Sequence, residues 1–413
     1  MVAIPELTTV AQQVPLLSFF TGGGLLDMGF EEAGFPVVWT NEVDPAFASL
    51  YSAGITSWRK HKNPAAKLTQ ISHVGSMRDI DDDGLIKQVF PKGTPKYFGI
   101  IGGPPCQDFS IAGKRVGIEG DRGSLSHDYC LRIDHMQPTF FIFENVAGLL
   151  QKKHKAEFDK MREFLSQRYL TDFARLNSLD YGVPQSRERL FMIGIRRDLI
   201  KAPVAGLGLF LPHVPKTGWA EWHKEYTHAN ARTAYQWPTS EPLGTTPEAP
   251  TCQKQLDLCV NKCLVPEAEE AIVANAKDRF NLFSKKPMAT PEGLVSNRSF
   301  KKLHRYRYSP TACYGNNEVH LHPWENKRLS VREVLRIQGV ADSYVLPEGA
   351  PLSAKFKMIG NGVPVPLANG VARTVVRLLH DYCGLGVETP MATMQKRRVV
   401  ATTALPMRPV AVC

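Results

Sequence analysis

The sequence predicts a doubly wound α/β fold, with a mostly parallel sheet and a smaller, loop-rich second domain. Short apolar, β-favouring runs recur at 16–20, 37–40, 97–101, 139–143 and 190–195, with helical patterns between several of them. A glycine-rich turn, Thr21-Gly22-Gly23-Gly24, follows the first run and opens a helix that continues to Gly34. After Arg196 the character changes: 197–327 is rich in Pro, Trp, His and Tyr and shows little periodicity.

The first half supplies its own helices. Phe158, Met161, Phe164 and Leu165 are spaced for one helical face. Order returns at Leu329, where Ser330 and Glu333 form a capping box, Leu329 and Val334 fit a hydrophobic staple, and Gly339 ends the helix. A last helix runs from about Pro364 to Leu379. Residues 1–196 and 328–386 are thus expected to form one discontinuous domain, 197–327 a second, and 387–413 a flexible tail.

The formal charge of +10 over 413 residues favours an anionic partner, nucleic acid first. No apolar run approaches the ~18–20 residues of a membrane helix, and the N-terminus lacks a signal-peptide pattern, so a cytoplasmic location is expected. The eight cysteines have no disulfide-framework spacing. Cys252, Cys259 and Cys263 cluster without a close Cys-x-x-Cys pair, and His320 and His322 read as polar loop residues, so no metal is expected.

Two ends of a reaction centre can be read from residue types. The glycine turn allows close approach of a ligand to backbone, and Glu42, twenty residues beyond Gly22, is placed to accept two ribose hydroxyls. Both a nicotinamide dinucleotide and S-adenosylmethionine satisfy that pattern. At the other end, Gly102-Gly103-Pro104-Pro105-Cys106 aims a thiol from a proline-stiffened loop after an apolar strand, as nucleophilic catalysis requires. Glu144 and Asn145 follow a strongly apolar strand, where desolvation should raise a carboxyl pKa and suit it to proton donation. Arg187 and Arg189 sit on one side of an extended segment and could donate to Glu144 and to a base oxygen. The segment 294–310 carries five Lys/Arg, three aromatics and no acid, a composition that suits contact with phosphates.

In order, these motifs resemble the DNA (cytosine-5) methyltransferases of bacterial restriction–modification systems. The matching residues are Phe-Thr-Gly-Gly-Gly at 20–24, Asn-Glu-Val-Asp at 41–44, Gly-Pro-Pro-Cys-Gln at 103–107 and Asp-Arg-Gly-Ser-Leu at 121–125. Glu-Asn-Val at 144–146, Gln-Ser-Arg-Glu-Arg at 185–189, the stretch 328–339 and Gly-Asn-Gly-Val at 360–363 complete the set.

The resemblance implies methyl transfer from S-adenosylmethionine to carbon 5 of a cytosine flipped out of duplex DNA, with 197–327 as target recognition domain. It makes Cys106 the nucleophile at carbon 6, sets Glu144 at the N3 side of the base, and has Arg187 and Arg189 hold the base and organise the site. It implies cofactor contacts at Phe20, Thr21, Gly22, Gly24, Leu25, Glu42, Val43, Ser76, Met77, Pro104, Leu125, Asn361 and Gly362. DNA contacts are expected among Arg298, Lys301, Lys302, Arg305 and Arg307, in a monomer that could serve beside a cognate restriction endonuclease. Two departures from the family pattern stand out: Leu25 replaces a glycine, and Gly75-Ser76-Met77 replaces Gly-Asp-Ile, which leaves Ser76 and Asp79 as alternatives at the adenine amine. The competing readings are a tRNA cytosine methyltransferase, a nicotinamide-dependent oxidoreductase and a DNA-binding module without catalysis. The long second domain argues against the first, and Cys106, Glu144 and the paired arginines have no task in the other two.

Overall fold

A computed structural model describes residues 9–105, 124–242, 244–283, 286–296, 300–312, 314 and 319–386. Cys106, Arg298 and the expected tail at 387–413 therefore lie outside the described residues.

Seven strands form the main sheet: β1 (Leu16–Phe19), β2 (Val37–Glu42), β3 (His73–Val74), β4 (Gly99–Gly102), β5 (Phe140–Val146), β6 (Tyr169–Asn177) and β8 (Glu188–Arg196). Their order is β3-β2-β1-β4-β5-β8-β6. From β3 to β5 all pairings are parallel, and β8 runs antiparallel to both of its neighbours. The chain leaves β1 toward β2 and β3, then returns to lay β4 against the other side of β1. This reversal opens a crevice at the carboxyl ends of β1 and β4, the position where such sheets bind ligands. Phe19 pairs with Gly102 at that edge, so the glycine turn and the Pro-Pro-Cys loop leave from adjacent strands.

Helices cover both faces. On one, α1 (Leu25–Glu32) meets the C-terminal helix α8 (Val365–Cys383) in a cluster that includes Phe30, Ile142, Leu367 and Val371. On the other, α4 (Leu125–Met136) and α5 (Lys152–Ser166) bury Tyr129, Ile133, Phe158, Met161 and Leu165 against the sheet. The helices α2 (Pro45–Lys62), α3 (Asp82–Val89), α6 (Val331–Ile337) and α7 (Leu352–Asn361) complete this part. A third cluster joins Tyr51 and Ile55 of α2 to Leu335, Phe356 and Ile359 of α6 and α7. The Ser330–Glu333 capping box forms as its spacing predicts.

Three expectations shift. Glu144 and Asn145 lie within β5, which continues to Val146 because β8 pairs with it to the end. The edge strand β6 has no counterpart among the expected strands, since polar residues interrupt its apolar pattern. One of them, Asp172, is fully buried and accepts hydrogen bonds from the backbone N–H groups of Phe173, Gly218 and Ala220, each at 2.8 Å. That anchor brings Trp219 and Trp222 into the cluster around α8, so by packing the catalytic layer extends past the expected boundary at 197 to about Tyr226. Beyond it, among the described residues, come short helical turns and the strand β9 (Ser309–Pro310), which pairs parallel with β7 (Gln185–Ser186).

The contact of α1 with α8 depends on Gly29, where a Cβ would overlap Ala368 and approach the Asn369 nitrogen to 2.6 Å. Gly29→Ala should lower unfolding free energy by about 1–3 kcal/mol in urea titration, overpacking outweighing the better helix propensity of alanine. A neutral or stabilising effect would mean that these helices can separate freely.

Candidate active site

The end of the sheet where a cofactor is expected is built by the glycine turn and the carboxyl end of β2. Glu42 is buried, and its carboxylate accepts from Gly22 N–H at 2.8 Å through Oε2 and from Asp44 N–H at 2.9 Å through Oε1. One side chain thus fixes the turn to the next strand. Gly22 and Gly24 take left-handed φ angles of 58° and 77°, and a Cβ at Gly22 would meet nothing within 4 Å, so the turn faces open space. Phe20 is also left-handed, with φ 56°, a costly conformation for an aromatic residue that concentrates at functional sites. Its ring lies edge-on to Tyr129 at 5.9 Å. Thr21 is tied through its N–H to the Asn41 carbonyl, and Val43 stands exposed just past β2.

Asn41 donates to the carbonyls of His73 and Gly75 and draws the third motif to the same edge. Ser76 accepts from Arg78 N–H at 3.2 Å and caps the turn that follows, Met77 is buried, and Asp79 is exposed beyond it. The far end of the chain reaches the same edge. Met358 packs on Gly23, and Gly362 lies so close to Leu25 that a Cβ would come within 2.7 Å of its side chain. Leu25, one of the two departures, is the residue against which Gly362 closes. Asn361 stands beside Gly362 at the end of α7, and Leu125 opens α4 on the other side of the crevice.

At the chemical end, Glu144 faces Arg189, with Oε1 3.2 Å from Nε. Burial pushes the Glu144 carboxyl above its usual range, and the charges of Arg189 and Arg187 offset only part of that rise. A Cβ on Gly103 would sit 2.5 Å from Glu144 Oε2, so glycine is what lets the loop pass the carboxylate. Asn145 donates to the Pro104 carbonyl at 3.1 Å and pins the same loop just before Cys106.

Arg187 lies deeper than Arg189. It is fully buried, and its guanidinium donates to the carbonyls of Ala312 at 3.0 Å, Gly360 at 2.8 Å and Asn361 at 3.3 Å. It ties these loops together, and its charge also acts on the Glu144 carboxyl. Of the cations expected at DNA, several are engaged within the protein. Lys302 is buried, and burial lowers its pKa. Arg305 is held between Glu292, at 2.8 Å, and the Trp324 ring, at 4.3 Å. Arg307 donates to the Pro238 carbonyl at 3.0 Å, and Lys301 is half-buried. An acid elsewhere in the domain neutralises part of a stretch that looks uniformly basic in sequence. His320 and His322, read as loop residues, are buried and held neutral, with pKa values lowered to about 3.

A family model for C-5 cytosine-specific DNA methylases matches residues 14–377, which include all of these elements. The chain belongs to that family. The cytosine methylase is 36% identical over 378 residues to the type II methyltransferase M.NmeDI of Neisseria meningitidis serogroup C, covering 89% of this chain and 84% of that protein. It is 31% identical to M.FnuDI of Fusobacterium nucleatum, over 89% and 95% of the two chains. Among solved structures, S. pombe Dnmt2 superposes with a TM-score of 0.51 at 15% identity, over 89% of this chain and 98% of that one, which shows a shared fold. The protein is therefore a DNA cytosine-5 methyltransferase. Among the described residues no helix is long and apolar enough to cross a membrane, and no group of three or more His, Cys, Asp or Glu could hold a metal.

Behind the methylase's glycine turn lies a polar cluster that the motifs do not reveal. Asp27, fully buried in the first turn of α1, accepts from Ser18 Oγ at 2.6 Å, and Tyr344 Oη donates to the Gly23 carbonyl at 2.8 Å. An acid set between Leu26 and Met28 in the apolar first turns of the helix was the available signal. Burial pushes the Asp27 carboxyl up to about 7, helped by Glu31 and opposed by Ser18 and Arg59. With the folded value above the unfolded one, the folded state holds the extra proton between about pH 4 and 7, and stability falls as pH rises through that window. Asp27→Asn should flatten the decline. Unfolding free energies at pH 5 and pH 8 check this, and equal slopes in the two proteins would contradict the buried, proton-holding carboxyl.

Proposed function

We propose that this methyltransferase uses S-adenosylmethionine to methylate carbon 5 of a cytosine flipped from a specific duplex sequence, through a covalent adduct of Cys106 at carbon 6. The observation that carries the reading is the pairing of buried Glu144 with Arg189 beside the loop that leads to Cys106. The cofactor would lie on Phe20 and the glycine turn, with Glu42 at the ribose and Ser76, at the end of β3, toward the adenine. Bound there, it would supply a sulfonium methyl as electrophile for carbon 5.

The protein's own groups do the rest. A cytosine ring is a poor nucleophile at carbon 5 until a thiolate adds at carbon 6. The raised pKa of Glu144 lets it bring a proton to N3 as the Cys106–carbon 6 bond forms. Arg189 steadies the carboxyl and would donate to the base oxygen. Loss of the carbon 5 proton and departure of the thiolate restore the ring and the enzyme. The base must leave the stack to reach these groups, at a cost of a few kcal/mol. Residues beyond about 226 would choose the sequence. The type II naming of the relatives supports service beside a restriction endonuclease. The protein would act as a cytoplasmic monomer.

Labelled methyl transfer to DNA, tRNA and neither separates the substrate classes, and transfer confined to tRNA would overturn the DNA reading. A duplex with fluorine at carbon 5 of the target cytosine should trap wild-type protein in a complex that survives denaturing electrophoresis, since elimination needs a removable proton. Cys106→Ser should give none, and Cys130→Ser, whose buried thiol has its pKa pushed up, should trap normally. An adduct with the Cys106 variant would show that another group is the nucleophile.

A further inference from the structure

We propose that Lys152, Lys153 and Arg175 form a phosphate-binding surface on the catalytic domain, one that holds the DNA backbone beside the reacting cytosine. The proposal rests on duplex DNA being the substrate. The observation that prompts it is where the chain's positive charge lies. Much of the basic stretch in the second domain is turned inward: Lys302 is buried, and Arg305 is committed to Glu292 and Trp324.

The helix α5 begins with Lys152, Lys153, His154 and Lys155, with no acid in its first turn and no side-chain cap. Cations there are unfavourable for the helix, because its first N–H groups already form a positive pole. Lys155 is offset by Asp159 at 2.5 Å, but Lys152 and Lys153 are exposed and enter no ion pair among the described residues. Among the described residues no acid pairs with either lysine. An external anion would.

Arg175 joins them from the edge strand. Two residues earlier Phe173 packs edge-on against Phe158 of α5 at 4.9 Å, so Arg175 shares the face that α5 covers. Ser166 of α5 meets Thr171 of β6, and Phe158 meets Phe173. The helix therefore runs back along the strand, and Arg175 comes level with its first turn. Arg175 is exposed and, like the two lysines, enters no ion pair among the described residues.

The row is tied to the reaction centre by register. Leu190 of β8 pairs with Arg175 on one side and with Asn145 on the other. Arg175 is thus two strand spacings, about 10 Å along the sheet edge, from Asn145, on the face that α5 covers and opposite the face of Glu144. All three cations stand at the carboxyl edge of the sheet, on the side of Glu144 away from the cofactor turn. A duplex carries one charge per ~1.7 Å of its axis, so any pose that brings a base to Glu144 brings several phosphates within that distance. Phosphate contacts carry no sequence information, so a surface of this kind contributes affinity without sequence choice.

The test is DNA binding by fluorescence anisotropy across a salt series, for cognate and scrambled duplexes. A triple variant carrying Lys152→Gln, Lys153→Gln and Arg175→Gln should show a log K against log salt slope shallower by about 2–3, at ~0.9 for each phosphate no longer neutralised. It should weaken both duplexes by the same factor and bind S-adenosylmethionine as wild type does. Arg175→Gln alone should give about a third of the change in slope. Lys92→Gln with Lys96→Gln, which precede β4 at the opposite edge of the sheet, should change nothing. A triple variant with the wild-type slope, or one that weakens only the cognate duplex, would overturn the surface. Wild-type protein that binds no duplex would overturn the substrate reading and this surface together.

Discussion

The site depends on one buried guanidinium. Arg187 arrives on the segment between β7 and β8, and its donors reach carbonyls at 312, 360 and 361, far apart in the chain. A charge fully removed from water is tolerated only when its hydrogen bonds are made, so these loops must close around it together. Gln185 extends the join: its amide accepts from Ala312 N–H and donates to Gln338, which in turn donates to the Ile359 carbonyl. The pairing of β7 with β9 adds a backbone seam between the same segments. The strand that carries Arg189 to Glu144 and the helix end that closes on Leu25 are thereby held by one network. The two ends of the reaction centre are built as a unit.

The rest of the geometry follows from the crevice between β1 and β4. Two loops leave adjacent strands there, and each is fixed by a side chain from its neighbour: Glu42 holds the glycine turn, and Asn145 holds the loop of Pro104. In both cases the bond is made to backbone, so the position of the loop does not depend on loose side chains. The left-handed Phe20 is the cost of turning the chain sharply at that edge. Close packing behind the turn, by Tyr51 and Met358, leaves it little room to move.

Much of this was legible in the sequence, because the features are local. A glycine turn after an apolar run, an acid one strand later and a capping box are each written in a few consecutive residues, and the structure has them where the spacing puts them. Glu144 was legible as a carboxyl at a buried strand, although the strand extends beyond it. What could not be read depends on partners distant in sequence. Arg187 and Arg189 look alike in Gln-Ser-Arg-Glu-Arg, yet one turns to the loops and the other to Glu144. The basic stretch at 294–310 looks free until Glu292 and Trp324 fold against Arg305. Strand β6 was hidden because Asp172 interrupts its pattern, and two of the three N–H groups that satisfy the buried acid, those of 218 and 220, come from far along the chain.

The claim that Arg187 builds both ends of the site at once is tested most directly by calorimetric titration of S-adenosylmethionine into Arg187→Lys and Arg189→Lys. Lysine keeps the charge but loses the fork. With hydrogen bonds from a charged group worth about 1.5–3 kcal/mol each, Arg187→Lys should weaken cofactor binding by about tenfold or more. Arg189→Lys, which disturbs only the chemical end, should bind the cofactor as wild type does. Wild-type affinity in the Arg187 variant would show that the cofactor end stands without it, and that the two ends are independent.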